Sequence, residues 1–454
     1  MYVWSIIFLG KIFYKGTNME RPLVYQLFFT LTDANNSEVL TGEGRASLNE
    51  RSIEIEPSKG NSISIPYFEV LKIFIGDYSV TLNLKMDEKL VLTRLGYEYE
   101  NFLTNLYRLR NELLLKYMLM EEKNLAAGIE AYYRYDGEES RKEEGPCEAR
   151  VYESALVTLP KRSEPIRIPI CYVRNFTSSD YTSTIESEAD TKLELSRMGE
   201  KSSFFERSFT KAIGEVSNRT QRHLSEVAPM IDQSRIRGAA TLMSDGKAAS
   251  RKELESISPE LWSQIESRLK TIGMQEEYSF LDGLSTQKNV WVGLKRGLMG
   301  DRTGEYIWFV VPIYDSDPKN PGNAVVLEAS SDTGTGRATY FFRLQDRATY
   351  GKGIELGSLS YKADQFVKRT NQCMIEINFR REPIYLDDQK LVDPEYEMYL
   401  YAAKTLTSLK FLREHYIGRV MHSSQEQWKN DTLDLLKFNV ESNENTEKWK
   451  KYSN

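Results

Sequence analysis

The chain has 454 residues, with 60 basic and 66 acidic side chains and a formal net charge of −6. This length predicts about three domains at the usual size of roughly 100 to 200 residues each. The slightly acidic balance excludes a general electrostatic attraction to nucleic acid or to an anionic membrane. The sequence also lacks a run of about 20 apolar residues that would predict a transmembrane helix.

The residues that most often bind metals or form disulfides are few: Cys147, Cys171, Cys373, His223, His415 and His422. The cysteines form no CxxC pair, which is typical of reduced thiols in a cytosolic protein. The histidines have no metal-ligand spacing, and His223, near a helix end, is expected to contact the helix dipole or solvent. The sequence therefore predicts a cytoplasmic protein without a metal or another cofactor.

Residues 1–19 are predicted to be an N-terminal extension. The apolar run at residues 2–9 is too short to span a bilayer, has no basic residue before it and no small-residue cleavage site after it. A secretory signal is therefore not predicted. We expect Met19 to begin the working protein, in preference to the alternative that residues 1–18 form a membrane-contacting anchor.

A stretch of 50 positions occurs twice, at an offset of 103 residues. Residues 57–106 and 160–209 share 15 identities without a gap, where unrelated segments would share about three to five. The identities include Ile65-Pro66, Asp77-Tyr78 and Arg94-x-Gly96, which match Ile168-Pro169, Asp180-Tyr181 and Arg197-x-Gly199. The chain is therefore predicted to contain a duplicated domain, at residues 20–122 and 128–225.

The first unit, residues 20–122, is predicted to be seven short strands followed by one helix. Runs of apolar, aromatic and β-branched residues are separated by polar turn clusters such as residues 33–36 and 58–60. The predicted strands are residues 23–32, 39–48, 52–56, 62–65, 68–75, 78–85 and 89–93. The helix is predicted to begin after Gly96 and to run to about residue 122, because apolar residues recur at spacings of three and four.

This order of elements, the Ile-Pro step at residues 65–66 and the pattern Leu90-x-Leu92-x-Arg94-Leu95-Gly96 resemble the pleckstrin-homology-like (PH-like) fold. In that fold two nearly orthogonal sheets form a split barrel, and the C-terminal helix closes one open corner. The resemblance covers roughly half of the chain when both copies are counted. It implies a β-rich α+β protein with two PH-like split barrels, each closed by a C-terminal helix.

PH domains that bind inositol phosphates typically carry several lysines and arginines in and beside the first hairpin, because several phosphates need several cations. Here the first hairpin of the first copy, residues 33–38, has acidic and amide side chains. The second copy has only Arg141 and Lys142 among four glutamates. We therefore expect no phosphoinositide binding, and peripheral membrane association is kept only as a third functional alternative.

The repeated arginines, Arg94 and Arg197, are candidates for a ligand or partner contact that both copies share. The alternative, which we favour, is an exposed arginine at a strand end that pairs with a carboxylate of the helix. Gly96 and Gly199, two residues further on, allow the change of direction from strand to helix.

Residues 226–288 are predicted to be a helical connector, with one helix marked by Ser258 as N-cap, Pro259 in the first turn and Gly273 as the stop. An antiparallel α+β domain is predicted at residues 289–422, and residues 423–454 are predicted to be a mobile tail. The predicted strands of this domain are residues 290–294, 305–313, 324–329, 337–344, 373–379 and 383–386, followed by a long helix from Asp393 to about residue 416. Because strands again precede a helix, a third PH-like domain is an open alternative.

Two loops of this last domain, residues 299–304 and 330–337, are the candidates for an active site. Asp332-Thr333-Gly334 matches the core of an aspartic-protease loop, where a carboxylate at a tight turn shares a proton with a second carboxylate. A hairpin turn explains these residues better, because serines precede them in place of an apolar strand. Residues 334–337 could form a backbone nest for a phosphate, with Arg337 as a ligand or partner contact.

The expected function is that of a non-enzymatic binding or scaffold protein that uses PH-like domains for protein-protein interaction. The reason is that the repeat preserves residues with structural roles and contains no repeated set of catalytic residues. We expect an unidentified protein partner and no nucleic acid. The alternative is an enzyme whose active site is confined to the loops at 299–304 and 330–337, with Asp332 as the candidate catalytic residue. The sequence does not predict the oligomeric state.

Overall fold

The computed structural model describes residues 23–120, 122–137, 141–188, 190–296, 305–331 and 337–441. Over these residues the protein has an α+β fold with three antiparallel sheets, one of them curled into a half-barrel. In the described part of the chain, no helix is both long and apolar enough to cross a membrane. The chain divides into two compact units, which meet in sequence between Arg110 and Asn111.

The first sheet has seven strands: β1 (Leu23–Thr32), β2 (Glu38–Leu48), β3 (Ser52–Pro57), β4 (Ile63–Pro66), β5 (Val70–Gly76), β6 (Ser79–Leu84) and β7 (Lys89–Thr93). Their order across the sheet is β4-β3-β2-β1-β7-β6-β5. Residues alternate between the two faces of β1, so that Tyr25, Leu27 and Phe29 are buried. Helix α1 (Tyr99–Tyr117) follows, and its Phe102 packs edge to face on Tyr25 with 5.1 Å between ring centroids.

The second sheet also has seven strands: β8 (Asn124–Asp136), β9 (Lys142–Tyr152), β10 (Ala155–Pro160), β11 (Ile166–Pro169), β12 (Val173–Ser179), β13 (Thr182–Ser187) and β14 (Lys192–Ser196). Their order, β11-β10-β9-β8-β14-β13-β12, repeats that of the first sheet. Helix α2 (Ser202–Val227) follows and packs Phe205 and Phe209 against the core of this sheet. The seven strands and one helix predicted for the first copy are confirmed, and the second copy has the same order, as the repeat predicts.

The two copies also share the backbone conformation of single residues. Tyr78 and Tyr181, in the β5-β6 and β12-β13 hairpins, have positive φ angles of 51° and 58°. Arg94 and Arg197 both have a φ angle of 59° shortly before the helix begins. Bulky side chains rarely adopt this left-handed conformation, so its presence at equivalent positions shows that the two copies use the same turns.

The third sheet has six strands: β15 (Ala249–Ser250), β16 (Trp291–Arg296), β17 (Glu305–Ile313), β18 (Ala324–Ser331), β19 (Ala338–Arg343) and β20 (Tyr416–Met421). Strands adjacent in sequence are adjacent in the sheet, so the predicted antiparallel meander is confirmed.

The remaining helices are α3 (Gln233–Leu242), α4 (Arg251–Ile257), α5 (Pro259–Thr271), α6 (Gln275–Leu284), α7 (Leu356–Glu376), α8 (Glu382–Tyr385), α9 (Asp388–Leu391), α10 (Glu397–Thr405), α11 (Thr407–His415) and α12 (Gln425–Val440). Apolar residues of α3 to α6 and α12 pack on one face of the third sheet. Those of α7, α8, α10 and α11 pack on the other face. The sheet is therefore buried on both sides, which explains why its strands are apolar on both faces.

The predicted connector, residues 226–288, is helical but shares the core of the third sheet. Ile236, Leu261 and Leu281 are buried in the same cluster as Phe309 of β17. The predicted helix from Pro259 is confirmed as α5, and Gly273 follows it with a φ angle of 74°. A boundary at residue 288 therefore does not separate two cores.

The predicted mobile tail, residues 423–454, is wrong for residues 425–440, which form α12. Trp428, Leu435 and Leu436 of this helix are buried in the core of the third sheet, and Ser424 caps the helix by accepting a hydrogen bond from the Gln427 amide at 3.3 Å. The sequence did not predict this helix because its few apolar residues, although at helical spacing, lie among many polar residues. Residues 442–454 lie outside the described residues.

Three other predictions in this region are wrong. Residues 373–379 are not a strand, since α7 continues to Glu376, and residues 383–386 fall largely in α8. A short apolar run does not distinguish a strand from a buried helix. The long helix predicted after Asp393 is interrupted at Leu406, whose backbone is extended. Residues 416–421, which follow α11, form β20 and pair with β19.

Candidate functional site

The predicted active-site loops are only partly described. Asp332 and residues 299–304 lie outside the described residues, and only the ends of the loop at 330–337 are described. Arg337 donates hydrogen bonds from Nε to Ser330 Oγ at 3.1 Å and from Nη2 to the Ile272 carbonyl at 2.8 Å. Its side chain thus contacts the protein itself, and a ligand role for Arg337 stays a prediction.

The repeated arginines make the same contact in their own copies. The guanidinium of Arg94 lies 4.7 Å from the centre of the Phe28 ring, and that of Arg197 lies 4.5 Å from the centre of the Tyr132 ring. Arg94 also pairs with Glu43 of β2 at 3.4 Å, so its carboxylate partner is on a strand and not on the helix as predicted. The shared cation-π contact is a structural reason for arginine at both positions, and a ligand role stays a prediction.

A buried polar cluster lies on one face of the third sheet, around His422. The His422 ring is 3.0 Å through Nε2 from Glu328 Oε1 of β18 and 3.5 Å through Nδ1 from Glu277 Oε1 of α6. Thr339 of β19 donates a hydrogen bond to Glu328 and accepts one from the Trp428 indole at 2.7 Å. The cluster therefore joins two strands, two helices and the residue that follows β20 through polar groups.

The two carboxylates determine the charge of His422. Burial alone would lower the pKa of this histidine, but hydrogen bonds and charge interactions with Glu277 and Glu328 outweigh burial and raise the pKa to about 9. The pKa of Glu277 is lowered in turn, since His422 opposes the effect of burial. The two carboxylates therefore favour the charged form of the His422 ring, and the cluster is held together by these polar contacts.

A further buried carboxylate on the same face belongs to Glu305, the first residue of β17. Its Oε2 is 3.2 Å from His223 Nε2 and 2.8 Å from Arg268 Nη2. Burial raises the pKa of Glu305, but these partners outweigh it and lower the pKa to about 2. His223 is buried, so the expectation that it contacts solvent is wrong, and its interaction with the helix dipole stays a prediction.

Sequence reasoning missed these clusters because their members are far apart in the chain. The available signal was one charged residue inside an apolar strand: Glu328 follows Val325, Val326 and Leu327. A glutamate at such a position needs a buried partner, but its identity depends on tertiary structure. No group of three or more histidine, cysteine or acidic side chains suited to a metal ion occurs among the described residues.

A cavity of about 760 Å³ lies between the second sheet and α7. One wall is made of Gln365, Lys368, Arg369 and Gln372, which recur at helical spacing along one face of α7. The facing wall includes Tyr172, Glu188, Lys247 and Trp291. Its size is that of a small-molecule site.

A further candidate feature is β5, an edge strand of the first sheet. It pairs only with β6 among the described strands, and Leu71, Phe74 and Ile75 are 52%, 45% and 41% exposed. Tyr78, which follows β5 in the hairpin, is 72% exposed and contacts the Tyr99 ring at 5.5 Å. The strand thus combines an edge that no second described strand covers with exposed apolar side chains.

Comparison with protein-family models and with curated proteins gave no match.

Proposed function

We propose that this protein is a non-enzymatic binding protein, and that its first PH-like unit binds an extended peptide of a partner protein as an additional strand along β5. The observation that supports the proposal is the apolar edge formed by Leu71, Phe74 and Ile75. Soluble proteins usually protect edge strands with charged or polar residues, because an exposed apolar edge pairs with other chains. Strand addition is a general mode of peptide recognition.

The second copy offers an internal comparison. At the offset of 103 residues, Leu71, Phe74 and Ile75 correspond to Arg174, Thr177 and Ser178 of β12. β12 is also an edge strand, and its exposed positions are polar. The equivalent edge strand therefore carries exposed polar residues in the second copy and exposed apolar residues in the first. This difference supports a binding role specific to the first copy.

The length of β5 suits a peptide. Its seven residues extend about 23 Å at about 3.3 Å per residue, so a partner segment of about seven residues covers the strand. A stable dimer usually buries on the order of 1,600 Å², more than one such strand provides. The proposed occupant is therefore an extended peptide with apolar residues at alternate positions.

The PH-like interpretation and the location are part of the same proposal. The two sheets with equal strand order, each followed by a helix, support it. A cytoplasmic location is supported by three buried cysteines, Cys147, Cys171 and Cys373, which form no disulfide.

The test uses the full chain and peptides selected from a random peptide library. The triple variant Leu71→Arg, Phe74→Thr and Ile75→Ser gives β5 the residues of the second copy, so it should fold. We expect peptides selected on the natural chain to lose at least about tenfold in affinity for this variant. N-methylation of a bound peptide should abolish binding at every second residue, because only alternate amides face the neighbouring strand.

Val39→Thr is the matched control, because Val39 is 59% exposed on β2 and should not affect peptide binding. Equal affinity of the triple variant and the natural chain would contradict the proposal. So would tolerance of N-methylation at all positions. A concentration-dependent dimer that the triple variant loses would identify the occupant as a second copy of the chain instead.

A further inference from the structure

The hairpin that follows β5 carries a tyrosine whose ring is supported by the protein but largely exposed. Tyr78 is 72% exposed, and its ring centre lies 5.5 Å from that of Tyr99 at the start of α1. Tyr99 is itself buried, and its hydroxyl donates a hydrogen bond to the Gly76 carbonyl at 2.7 Å, which fixes this second ring against the hairpin. An aromatic side chain supported in this way loses little conformational freedom when a ligand packs on it.

The turn alone does not explain a tyrosine at this position. Tyr78 has a φ angle of 51°, a conformation that glycine or asparagine adopts with less strain. The residue before it, Asp77, is exposed, and its carboxylate forms no hydrogen bond or ion pair with any described residue. Lys72, the one basic residue of β5, lies about 20 Å from Tyr78 along the extended chain. The hairpin therefore presents an exposed ring beside an unpaired negative charge.

The second copy has the equivalent hairpin in a different environment. Tyr181 corresponds to Tyr78 and is 82% exposed, but it makes no ring contact with any described residue. The start of the helix also differs, since residues 97–100 are Tyr-Glu-Tyr-Glu and the equivalent residues 200–203 are Glu-Lys-Ser-Ser. The second copy thus has a serine in place of the supporting Tyr99 and a lysine beside it. Because both copies fold with this hairpin, the aromatic and acidic residues found only in the first copy are better explained by binding than by the fold.

We propose that Asp77 and Tyr78, supported by Tyr99, form a site that binds a lysine or arginine side chain of the partner peptide; we call it the hairpin site. The face of a tyrosine ring attracts a cation, and a carboxylate beside the ring adds to that attraction. This inference rests on the proposed addition of a peptide strand along β5, because the hairpin site directly follows the end of that strand. It defines the chemistry of the partner: an extended segment with apolar residues at alternate positions and a basic residue at the end that lies beside Gly76.

The test uses the full chain and peptides selected on it from a random peptide library. Each selected peptide is also made with its basic residues replaced one at a time, lysine by norleucine and arginine by citrulline, which keep the length of the side chain and remove its charge. Tyr78→Asn removes the ring and suits the left-handed backbone, so this variant should fold. Tyr181→Asn is the matched control, because it makes the same change in the hairpin of the second copy. Asp77→Asn and Asp180→Asn form a second matched pair.

We expect the selected peptides to carry a lysine or arginine at one end. Removal of that charge should lower the affinity for the natural chain about threefold to tenfold, the combined effect of one exposed cation-π contact and one exposed ion pair. Tyr78→Asn and Asp77→Asn should each lower the affinity about threefold for the charged peptides and less for the uncharged ones. Tyr181→Asn and Asp180→Asn should leave the affinity unchanged. Selection of lysine alone or of arginine alone assigns the residue that the site prefers.

Equal affinity for the charged and uncharged peptides overturns the inference, as does an unchanged affinity in Tyr78→Asn or an equal loss in Tyr181→Asn. The triple variant of β5 separates this failure from that of the proposed function. Peptides that need the apolar edge but no cation would overturn the hairpin site and leave strand addition in place. Peptides that bind the triple variant as well as the natural chain would overturn both.

Discussion

The protonated ring of His422 lies between two carboxylates from different elements, Glu277 of α6 and Glu328 of β18. The same ring stacks on Trp428 of α12 with 5.3 Å between centroids. Its positive charge therefore acts on several elements at once, and the loss of that charge would leave two buried carboxylates without their shared cation. Glu277 would keep Arg337 at 3.7 Å, and the removal of one partner from a buried ion pair is strongly destabilising.

Stability should consequently depend on pH through His422. Its pKa is about 9 in the folded chain and about 6.5 when unfolded, so its contribution is fully present below about pH 6.5. That contribution is lost as pH rises through 9, and its size is about 3 kcal/mol, because each pKa unit corresponds to about 1.4 kcal/mol. The free energy of unfolding, measured with urea between pH 6 and 9.5, should decline in the natural chain as pH rises. The His422→Gln variant should lack the part of this decline that is due to the histidine.

His415→Gln is the control for this prediction. His415 contacts the Phe411 carbonyl at 2.9 Å and the rings of Phe366 and Phe411, so its replacement removes a histidine that lies outside the His422 cluster. An equal slope in the natural chain and in His422→Gln would show that the histidine does not titrate between the two glutamates.

At the scale of elements, local sequence patterns predicted most of the strands and helices. They did not predict which elements that are distant in sequence contact each other. The strands of the first sheet were predictable because turn residues separate runs with strand character, as at residues 33–36 and 58–60. β20 was not predictable, because Tyr416–Met421 directly follows a helix and becomes a strand only by pairing with β19. The same limit applies to the His422 cluster, whose partners come from positions 277, 328, 339 and 428.

The docking of α12 gives a test at this scale. Trp428 is fully buried and its indole donates to Thr339 Oγ1 at 2.7 Å. Trp428→Ala should therefore lower the free energy of unfolding by about 3 to 5 kcal/mol, the range for removing a large buried side chain. Urea unfolding of the full chain measures this change.

Lys429→Ala on the same helix is the matched control. The Lys429 side chain is 39% exposed and lies 3.9 Å from Glu276, so its removal should cost less than about 1 kcal/mol. If both variants lost the same small amount, α12 would not be part of the core and a mobile tail from residue 423 would be the better description.

For the whole molecule, the repeat separates what the scaffold requires from what each copy has added. Both copies keep the left-handed hairpin tyrosine and the arginine on an aromatic ring. They differ at the edge strand, where the exposed Leu71, Phe74 and Ile75 of β5 are replaced by polar residues in β12. The shared residues therefore explain the fold, and the differing residues are the better guide to function.

The same reasoning predicts how the molecule behaves at membranes. The first hairpin of the first copy uses Asp33 as its turn residue, which accepts hydrogen bonds from the amides of Asn35 and Ser37. The two cations of the second copy are already paired, Arg141 with Glu143 at 2.6 Å and Lys142 with Asp136 at 3.1 Å. Neither hairpin thus offers a cluster of uncompensated cations to a polyanionic headgroup.

We therefore expect the chain from Met19 onward to co-sediment equally with phosphoinositide vesicles and with neutral vesicles. The double variant Asp136→Asn and Glu143→Gln removes both paired acids, so it should bind anionic vesicles more than the natural chain does, in a salt-sensitive way. Salt-sensitive binding of the natural chain to anionic vesicles would contradict the expectation. It would favour peripheral membrane association over the peptide-binding function, because the hairpin cations would then be available to lipid despite their carboxylate partners.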